Sequence, residues 1–393
     1  MTKESLRLMI VAGEPSGDAH SAALVGALRE RAPETHLEFF GATGALMRAE
    51  GVRSIVRSDD LAIMGLLEVA RVLPGFLRAF RALKRAALEQ QPDAVILVDW
   101  PEFNLRLARA LHRRGLRIIY YISPQLWAWR SYRVRNIRRD VDLLLAILPF
   151  EPDWYRARGI EHVRFVGHPL SGEVRPRYSR AEFCRLHELD QERPIVSLLP
   201  GSRRKELERI LPPMLDAASL ISQTHPEIQF VIPVAPTRTR AEVEAHIEAA
   251  QRKGRSLPHA LVVAEGETRE ALAASDAAAV ASGTATLEAA ITGTPSVIVY
   301  KESAVNWHTL GRLITAEHFG LVNLIAGRRL LTELMQDQLT GEQLAAELLS
   351  LLDQERNRLV REELHEVAAR LGQGGASTRA AETILRFLQA PGE

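Results

Sequence analysis

Five short loops carry the residue types that could bind a substrate or move a proton. The segment "AGEPSGD" follows an apolar run and places the carboxylates Glu14 and Asp18 among Gly13, Ser16 and Gly17. Glycines let the backbone approach a ligand closely, and free N–H groups at a helix start suit a phosphate or a sugar hydroxyl. A tight turn with a helix cap, made by Ser16 or Asp18, is the alternative interpretation of this loop.

Two further loops of the first half place polar or aromatic residues directly after apolar runs. In "VDWPEFN", Asp99 ends such a run, and Glu102 and Asn104 follow it. A carboxylate at this point could accept a proton from a substrate hydroxyl. It could also cap a helix starting near Glu102, which spacing alone favours. In "SPQLWAWR", Gln125 and Trp127 could contact a sugar ring, although tryptophans at a strand end more often pack in the core.

The segment "LLPGSRRKEL" has an unusual distribution of charge. Gly201 and Ser202 precede a helix whose first turn carries Arg203, Arg204 and Lys205. The helix dipole already makes that end positive, so cations there are unfavourable unless an anion lies between them. We therefore favour diphosphate binding by this loop over a solvated run of charge.

Small residues in "ASGTATLE" form the most informative pattern in the chain. Ser282, Gly283 and Thr284 end an apolar run, and the helix that follows carries Thr286 and Glu288. The backbone N–H groups of the small residues could cradle a phosphate. Glu288, one turn into the helix, could accept hydrogen bonds from both ribose hydroxyls. An N-capped, alanine-rich packing helix is the alternative interpretation.

Two basic segments could contact anionic surfaces. Residues 64–85 mix an apolar face with arginine and lysine, which suits either an anionic membrane surface or an amphipathic helix packed on its own domain. The segment "RSYRVRNIRRD" could meet acidic headgroups or a substrate phosphate, or it could form a solvated helix face. Its arginines are Arg130, Arg133, Arg135, Arg138 and Arg139.

The loops that could do chemistry end strand-like runs that alternate with helical patterns. Most of these runs are continuously apolar, as expected for parallel strands covered on both faces. The pattern predicts two doubly wound, Rossmann-like α/β domains over residues 1–170 and 194–330, with a linker over 171–193 and C-terminal helices over 331–393. Because ligand loops lie at the carboxyl ends of parallel strands, we expect the loops of both domains to line one cleft.

Composition excludes several classes of protein. The 393 residues carry a net charge of +1, which gives no global field suited to nucleic acid. The single cysteine, Cys184, excludes an internal disulfide framework. No signal peptide, spanning apolar stretch, nicotinamide fingerprint or metal-ligand spacing is present. These features predict a cytoplasmic protein that needs no metal or cofactor.

The segments "AGEPSGD", "SPQLWAW", "GHPL", "LLPGSR" and "ASGTATLE", in this order across nearly the whole chain, resemble the lipid-A-disaccharide synthase family. The resemblance implies the GT-B architecture of two facing α/β domains. It implies inverting transfer of a sugar from UDP-2,3-diacylglucosamine to the 6-hydroxyl of 2,3-diacylglucosamine 1-phosphate, giving a β-1,6-linked disaccharide 1-phosphate and UDP. The acylated substrates imply peripheral association with the inner face of the inner membrane, and a homo-oligomer is left open.

The resemblance also implies roles for particular residues. Asp99, in the family's D-x-P-x-F-N position, would be the general base, and Glu14 and Arg203 would complete the catalytic set. Arg203 would stabilise the leaving UDP. The implied sugar contacts are Gly13, Ser16, Gly17, Asp18, Asn104, Gln125 and Trp127. The implied UDP contacts are Gly201, Ser202, Arg203, Ser282, Gly283, Thr284, Thr286, Glu288 and Asn323.

The sequence departs from the family pattern at two positions, and rival functions remain. Glu102 stands where the family usually has a second aspartate, and Val322 stands where it usually has proline. One rival is another UDP-sugar enzyme of the same fold, such as an epimerase or a peptidoglycan sugar transferase. The other is a catalytically silent homologue that binds lipid at the membrane. Tests with acylated and non-acylated acceptor sugars would distinguish the lipid A reaction from that of another UDP-sugar enzyme. Loss of UDP binding would favour the catalytically silent homologue.

Overall fold

The structure is a computed structural model that describes residues 4–59, 69–303 and 317–389, with side chains described except for residues 69–73. By internal contacts, the described parts of Met1–Pro169 and Gln373–Glu393 form one unit, and those of Leu170–Gly372 form a second. We call them unit 1 and unit 2.

Unit 1 is built on a sheet of seven parallel strands in the order β3-β2-β1-β4-β5-β6-β7. The strands are β1 Ser5–Val11, β2 His36–Thr43, β3 Arg53–Arg57, β4 Ala94–Val98, β5 Ile118–Tyr121, β6 Leu143–Ala146 and β7 Val163–Phe165. The helices between them are α1 Pro15–Arg31, α2 Ala45–Ala49, α3 Val69–Gln90, α4 Pro101–His112, α5 Val134–Asp140 and α6 Glu151–Arg156, with a 3₁₀ turn at Ser131–Arg133.

Both faces of this sheet are covered, which explains the continuously apolar strands. Successive side chains of a strand point to opposite faces. In β4, Val95 and Leu97 join one core layer, whereas Ala94, Ile96 and Val98 join the layer on the other face. The predicted doubly wound α/β class is therefore confirmed for unit 1.

Unit 2 repeats this architecture with six parallel strands in the order β10-β9-β8-β11-β12-β13. The strands are β8 Ile195–Leu199, β9 Gln229–Val234, β10 Leu261–Glu265, β11 Ala277–Ala281, β12 Ser296–Tyr300 and β13 Glu333–Met335. The helices are α7 Leu170–Glu173, α8 Arg180–Leu186, α9 Arg204–Thr224, α10 Arg240–Arg252, α11 Thr268–Ala274, α12 Ala285–Ile291, α13 Leu321–Ala326, α14 Gly341–Leu351 and α15 Gln354–Arg370, with a 3₁₀ turn at Gln336–Gln338.

The last helix, α16 Ala376–Gln389, returns to unit 1. Its Ala380, Ala381 and Ile384 are buried in the same core layer as Leu24 and Leu28 of α1. The helices that we predicted as one segment over 331–393 are thus divided, because α14 and α15 pack in unit 2.

Two strands were not predicted, and the expectation of an all-helical chain after about Leu330 is wrong at β13. Both β3 and β13 are edge strands, and β3 has no fully buried residue. Neither RSIVR in β3 nor ELM in β13 is the continuous apolar run on which the prediction depends. The segment that we predicted as a linker over 171–193 contains α8, whose Phe183 and Cys184 are buried against unit 2.

The amphipathic segment over 64–85 is described only in part. Residues 64–68 and the side chains of Val69, Arg71, Val72 and Leu73 lie outside the described residues. In the rest of α3, Ala79 and Leu83 are buried in the core, while Leu77 is 43% exposed. Across residues 4–59, 69–303 and 317–389, no helix has the length and apolar character to cross a membrane.

Candidate active site

The loops of unit 1 that could do chemistry meet where the strand order reverses. β1 and β4 are neighbours in the sheet at this point. β2 and β3 lie on the β1 side of this pair, and β5, β6 and β7 lie on the β4 side. The carboxyl ends of such a pair are the usual ligand site of an open parallel sheet. The topology therefore brings together the loop 12–18 after β1 and the loop 99–104 after β4.

Asp99 is held at the end of β4 by a constrained backbone. Asp99 and Trp100 both adopt left-handed conformations, with φ of 47° and 49°. The Asp99 carbonyl accepts hydrogen bonds from the Tyr120 hydroxyl at 2.6 Å and from Asn104 Nδ2 at 2.8 Å. Such backbone strain in residues other than glycine concentrates at functional sites.

The carboxyl group of Asp99 is poised to exchange a proton near neutral pH. Burial raises its pKa to about 6, and the charge of Glu14 adds to this rise, while a hydrogen bond with the Trp100 backbone opposes it. A general base works best when its pKa lies near the working pH. The alternative role, a cap for α4, is wrong, because Trp100 is the N-cap and no side chain caps this helix.

Gly13 serves a packing role beside this carboxylate. A Cβ atom at Gly13 would lie 2.2 Å from Cδ2 of Trp100. The Trp100 ring stacks on Phe103, with centroids 4.2 Å apart. The glycine therefore gives room to the indole ring, and its predicted contact with a sugar stays a prediction.

Asp18 has a structural role in unit 1, and its predicted contact with a sugar stays a prediction. Its side chain is buried, Oδ1 accepts hydrogen bonds from the N–H groups of Gly44 at 2.8 Å and Met47 at 3.2 Å, and Oδ2 accepts one from Leu46 at 2.8 Å. Asp18 thereby satisfies the first turn of α2. Neither Ser16 nor Asp18 caps α1, whose N-cap is Glu14 without a side-chain bond.

The remaining predicted residues of the first loop differ in access to solvent. Glu14 and Ser16 are exposed, whereas Gly17 is buried and its carbonyl accepts the Ser21 hydroxyl at 2.6 Å. Of these three, the exposed pair is available to a substrate beside Asp99.

Asn104 and Trp127 are also bound within the protein. Asn104 is buried and donates through Nδ2 to the carbonyls of Val98 at 3.1 Å and Asp99 at 2.8 Å. Trp127 is 8% exposed, and its Nε1 donates to Glu151 Oε1 at 3.2 Å. For Trp127 the structure therefore favours the core-packing alternative over a sugar contact, while Gln125 is exposed.

Glu151 is a buried acid that our reading of the sequence missed. It follows β6 and accepts hydrogen bonds from Ser123 Oγ at 2.5 Å and the Leu148 N–H at 2.9 Å. Burial raises its pKa to about 7, although these bonds and those from Trp127 and Ile147 oppose the rise. The signal was available, since Glu151 follows an apolar run in the same way as Asp99.

Unit 2 has its own point of strand reversal, between β8 and β11. The loop 200–203 follows β8, and the loop 282–284 follows β11. Parallel neighbours end at the same sheet edge, so the two loops predicted to bind UDP are adjacent.

Glu206 supplies the anion at the start of α9. The N–H groups of Ser202 and Arg203 each donate to Glu206 Oε2 at 3.0 Å. Gly201 has φ of +109°, and a Cβ atom there would lie 2.4 Å from the same oxygen. The N–H groups that we predicted for diphosphate are therefore occupied by an internal carboxylate. The Arg203 side chain is 83% exposed and remains accessible.

The loop after β11 is more open. Gly283 and Thr284 are exposed, and their N–H groups make no hydrogen bond within the part of the chain that the structure describes. Ser282 Oγ donates to the Phe319 carbonyl at 3.0 Å, and the buried Thr286 hydroxyl donates to the Gly283 carbonyl at 2.7 Å. These two hydroxyls shape the loop, and the predicted contacts of Ser282 and Thr286 with UDP stay predictions. Glu288 is partly buried and accepts a hydrogen bond from Arg269 Nε at 3.2 Å.

Asn323 is buried and its side chain is hydrogen-bonded within unit 2, while its predicted contact with UDP stays a prediction. Its Nδ2 donates to the Leu331 carbonyl and to Glu333 Oε1, both at 2.8 Å, and its Oδ1 accepts from the Leu331 N–H at 2.8 Å. Glu333 also accepts the N–H of Gly320 at 2.9 Å. Asn323 therefore fastens the segment that bears Phe319.

Comparisons with known proteins bear on both units. A family model described as Lipid-A-disaccharide synthetase matches residues 8–386. The chain is similar to "Lipid-A-disaccharide synthase" of Geobacter metallireducens, with 40% identity over 388 residues and 98% of each chain covered. It is 44% identical over 385 residues to the protein of that name from Solibacter usitatus, with 98% of each chain covered.

The chain belongs to the lipid-A-disaccharide synthase family. It is thus a UDP-sugar glycosyltransferase of lipid A biosynthesis, with a UDP-sugar and a lipid-linked sugar as substrates.

Solved structures show that this family member has the GT-B fold. The calicheamicin glycosyltransferase CalG4 matches with a TM-score of 0.62 and 17% identity, covering 99% of this chain and 100% of that one. A putative UDP-N-acetylglucosamine 2-epimerase from Listeria monocytogenes matches with a TM-score of 0.63 and 15% identity, covering 98% of each chain. At such identities the likeness concerns the fold alone.

Glu102, at which we expected a departure from the family pattern, forms ion pairs with two arginines. Glu102 accepts a hydrogen bond from Arg130 at 2.6 Å and two from Arg133 at 2.8 and 2.9 Å. The Arg133 hydrogen bonds lower the pKa of Glu102. Glu102 is therefore an ionised partner of arginines, whereas Asp99 is the carboxyl group with the raised pKa.

Proposed function

We propose that Asp99 is the general base of an inverting transfer from UDP-2,3-diacylglucosamine to 2,3-diacylglucosamine 1-phosphate. The observation that carries this proposal is the position of Asp99 at the β1/β4 reversal with a pKa of about 6. Asp99 would take the proton of the 6-hydroxyl as that oxygen attacks the anomeric carbon, while the bond to UDP breaks. Glu14, exposed in the neighbouring loop, would contact the sugar and hold the pKa of Asp99 high.

For the leaving group, we propose a site on the loop 282–284 of unit 2. The N–H groups of Gly283 and Thr284, which make no hydrogen bond among the described residues, support a contact with diphosphate, since backbone donors at a helix start bind such anions. The exposed Arg203 guanidinium would neutralise the charge that develops on UDP. Glu288, oriented by Arg269, would accept the ribose hydroxyls.

We propose the cytoplasmic face of the inner membrane as the place of action. The acylated substrates require contact with a lipid phase. The exposed Leu77, flanked by the exposed Arg78 and Arg81 on α3, supports contact with an anionic surface.

Acceptor-dependent UDP release by wild type and by Asp99→Asn tests the proposal. We expect kcat to fall by a factor of about 10²–10⁴, the usual contribution of a general base. Asp153→Asn, which changes an 87% exposed aspartate of the same unit, is the matched control and should retain wild-type activity. UDP release by wild type without acceptor, or full activity in Asp99→Asn, would contradict the proposal.

Thermal unfolding distinguishes loss of the catalytic base from loss of the folded structure. The pKa of Asp99 is raised in the folded protein, so its ionisation destabilises the fold as the pH rises through about 6. Asp99→Asn should therefore be at least as stable as wild type at pH 8. A lower Tm for Asp99→Asn at that pH would assign the lost activity to misfolding.

A further inference from the structure

An arginine cluster surrounds Glu102 at the start of α4. We use the name Glu102 cluster for Glu102, Arg106, Arg130 and Arg133. Arg130 and Arg133 bond the Glu102 carboxylate, and Arg133 does so through both terminal nitrogens. Arg106 lies one turn further along α4, exposed, and its charge also acts on Glu102. Three cations therefore share one carboxylate.

The cluster has hydrogen-bond donors to spare. A guanidinium offers five N–H donors in a fork that matches carboxylate and phosphate oxygens. Arg130 uses one terminal nitrogen on Glu102, and its guanidinium lies 4.1 Å from the centroid of the Trp129 ring. The Glu102 carboxylate shows that Arg130 and Arg133 already converge on one oxyanion. The surplus of charge and of donors suits a further anion.

The cluster lies beside the proposed base. Glu102 is three residues from Asp99, and the Tyr120 hydroxyl connects the two neighbourhoods. That hydroxyl bonds the Asp99 carbonyl at 2.6 Å, and the charges of both Arg133 and Glu102 act on it. A substrate whose hydroxyl meets Asp99 would therefore bring its other polar groups within reach of these arginines.

Backbone strain marks the same region. Among the described residues, seven other than glycine have positive φ, and four of them are Asp99, Trp100, Ile122 and Arg130. A β-branched residue such as Ile122 at φ of 63° is a clear outlier. Strain of this kind persists where surrounding structure enforces a functional geometry. The strained residues link the base loop after β4 to the arginine loop after β5.

We propose that the Glu102 cluster binds the phosphate monoester of the acceptor sugar, with Arg130 and Arg133 as its ligands. The proposal rests on the proposed function, because it needs an acceptor whose hydroxyl meets Asp99. Glu102 holds the two guanidinium groups in place before the substrate arrives. Positive charge beside Asp99 also favours the acceptor that carries the phosphate over a neutral sugar.

The test compares two acceptors that differ only in this phosphate. Acceptor-dependent UDP release is measured with 2,3-diacylglucosamine 1-phosphate and with 2,3-diacylglucosamine. We expect wild type to prefer the phosphorylated acceptor in kcat/KM. Combined Arg130→Ala and Arg133→Ala substitutions should lower kcat/KM for that acceptor by about 10- to 100-fold, the usual effect of losing charged hydrogen bonds. The value for the neutral acceptor should change little.

Two matched variants control for charge and folding. Arg109→Ala removes an exposed arginine of α4 and should leave the preference unchanged. Glu102→Gln keeps the cations but loses the ion pairs that position them, so the preference should weaken less than in the double variant. Equal losses on both acceptors in the double variant, or a preference lost as fully in Glu102→Gln, would overturn the proposal and indicate a structural role.

The outcomes also separate this inference from the proposed function and from a lipid headgroup. If wild type releases no UDP with either acceptor, the proposed function itself fails. If wild type uses both acceptors equally, only this inference fails. Co-sedimentation with phosphatidylglycerol and phosphatidylcholine vesicles covers the headgroup: a double variant that loses binding to phosphatidylglycerol but keeps its acceptor preference would overturn the proposal.

Discussion

At the scale of residues, the site depends on two carboxyl groups that differ in access to water. Asp99 is half-buried and Glu14 is exposed, and the charge of Glu14 is the second cause of the raised pKa of Asp99. An unfavourable pair of like charges pushes one pKa upward. The exposed glutamate can therefore tune the base without taking a proton from the substrate.

Glu14→Gln should shift the acid limb of the pH profile. Asp99 acts as a base only when ionised, so kcat/KM should fall as the pH drops through about 6 in wild type. Removing the Glu14 charge lowers the pKa of Asp99, and the limb should move to lower pH. The measurement is kcat/KM between pH 4.5 and 8.5. Glu30→Gln, an exposed change on the same helix, is the control, and an unshifted limb in Glu14→Gln would show that the two groups are not coupled.

At the scale of elements, α13 and β13 form a brace for the loop after β11. Asn323 of α13 bonds Glu333 of β13, Glu333 accepts the N–H groups of Phe319 and Gly320, and the Phe319 carbonyl accepts Ser282 Oγ. Gly320 is required here, because a Cβ atom would lie 2.2 Å from Cδ1 of Ile298. The brace connects Asn323 to the loop after β11 through hydrogen bonds alone.

Asn323→Ala should cost stability rather than affinity. It removes three buried hydrogen bonds and leaves the Leu331 N–H unpaired, so we expect a loss of about 2–4 kcal/mol in the free energy of unfolding. The Kd for UDP, measured well below the Tm, should stay within about threefold of wild type, which is under about 1 kcal/mol. Glu288→Gln should have the opposite effect to Asn323→Ala: UDP should bind more weakly, while the free energy of unfolding should be unchanged. Weak UDP binding by a stable Asn323→Ala protein would support a direct contact between Asn323 and UDP.

At the scale of the whole molecule, the chain leaves unit 1, completes unit 2 and returns. The returning helix α16 is tied to unit 1 by Arg379, whose Nε donates to the Val166 carbonyl at 2.8 Å. Arg117 adds a second tie, with its guanidinium 4.0 Å from the centroid of the Phe387 ring. The stability of unit 1 therefore depends on residues at the far end of the chain.

Ile384→Ala tests this dependence. Ile384 is fully buried among residues of unit 1, so the substitution should cost about 2–4 kcal/mol through lost contacts and a cavity. Unfolding in urea should show that the free energy of unfolding of unit 1 has fallen, while UDP binding by unit 2 should be unchanged. The exposed Arg386→Ala on the same helix should shift stability by less than about 0.5 kcal/mol. A matching loss of UDP affinity in Ile384→Ala would contradict the assignment of α16 to unit 1.

The sequence by itself determined the α/β class, most strands and the loops at their carboxyl ends. Apolar runs such as "AVILV" are local signals, because a strand buried on both faces needs an apolar residue at every position. Asp99, Gly283 and Thr284 were predicted as site residues because they directly follow such runs. β3 and β13 were not predicted, since neither Arg53–Arg57 nor Glu333–Met335 forms a continuous apolar run.

Only the tertiary structure decided which polar residues are free to act. Asp18 bonds N–H groups 26 to 29 residues away, and Glu206 occupies the donors that a diphosphate was expected to use. Likewise, the pKa of Asp99 depends on burial and on a charge 85 residues earlier in the chain. A loop motif specifies residue types, but hydrogen-bond partners distant in sequence determine whether a side chain holds the fold or faces a substrate.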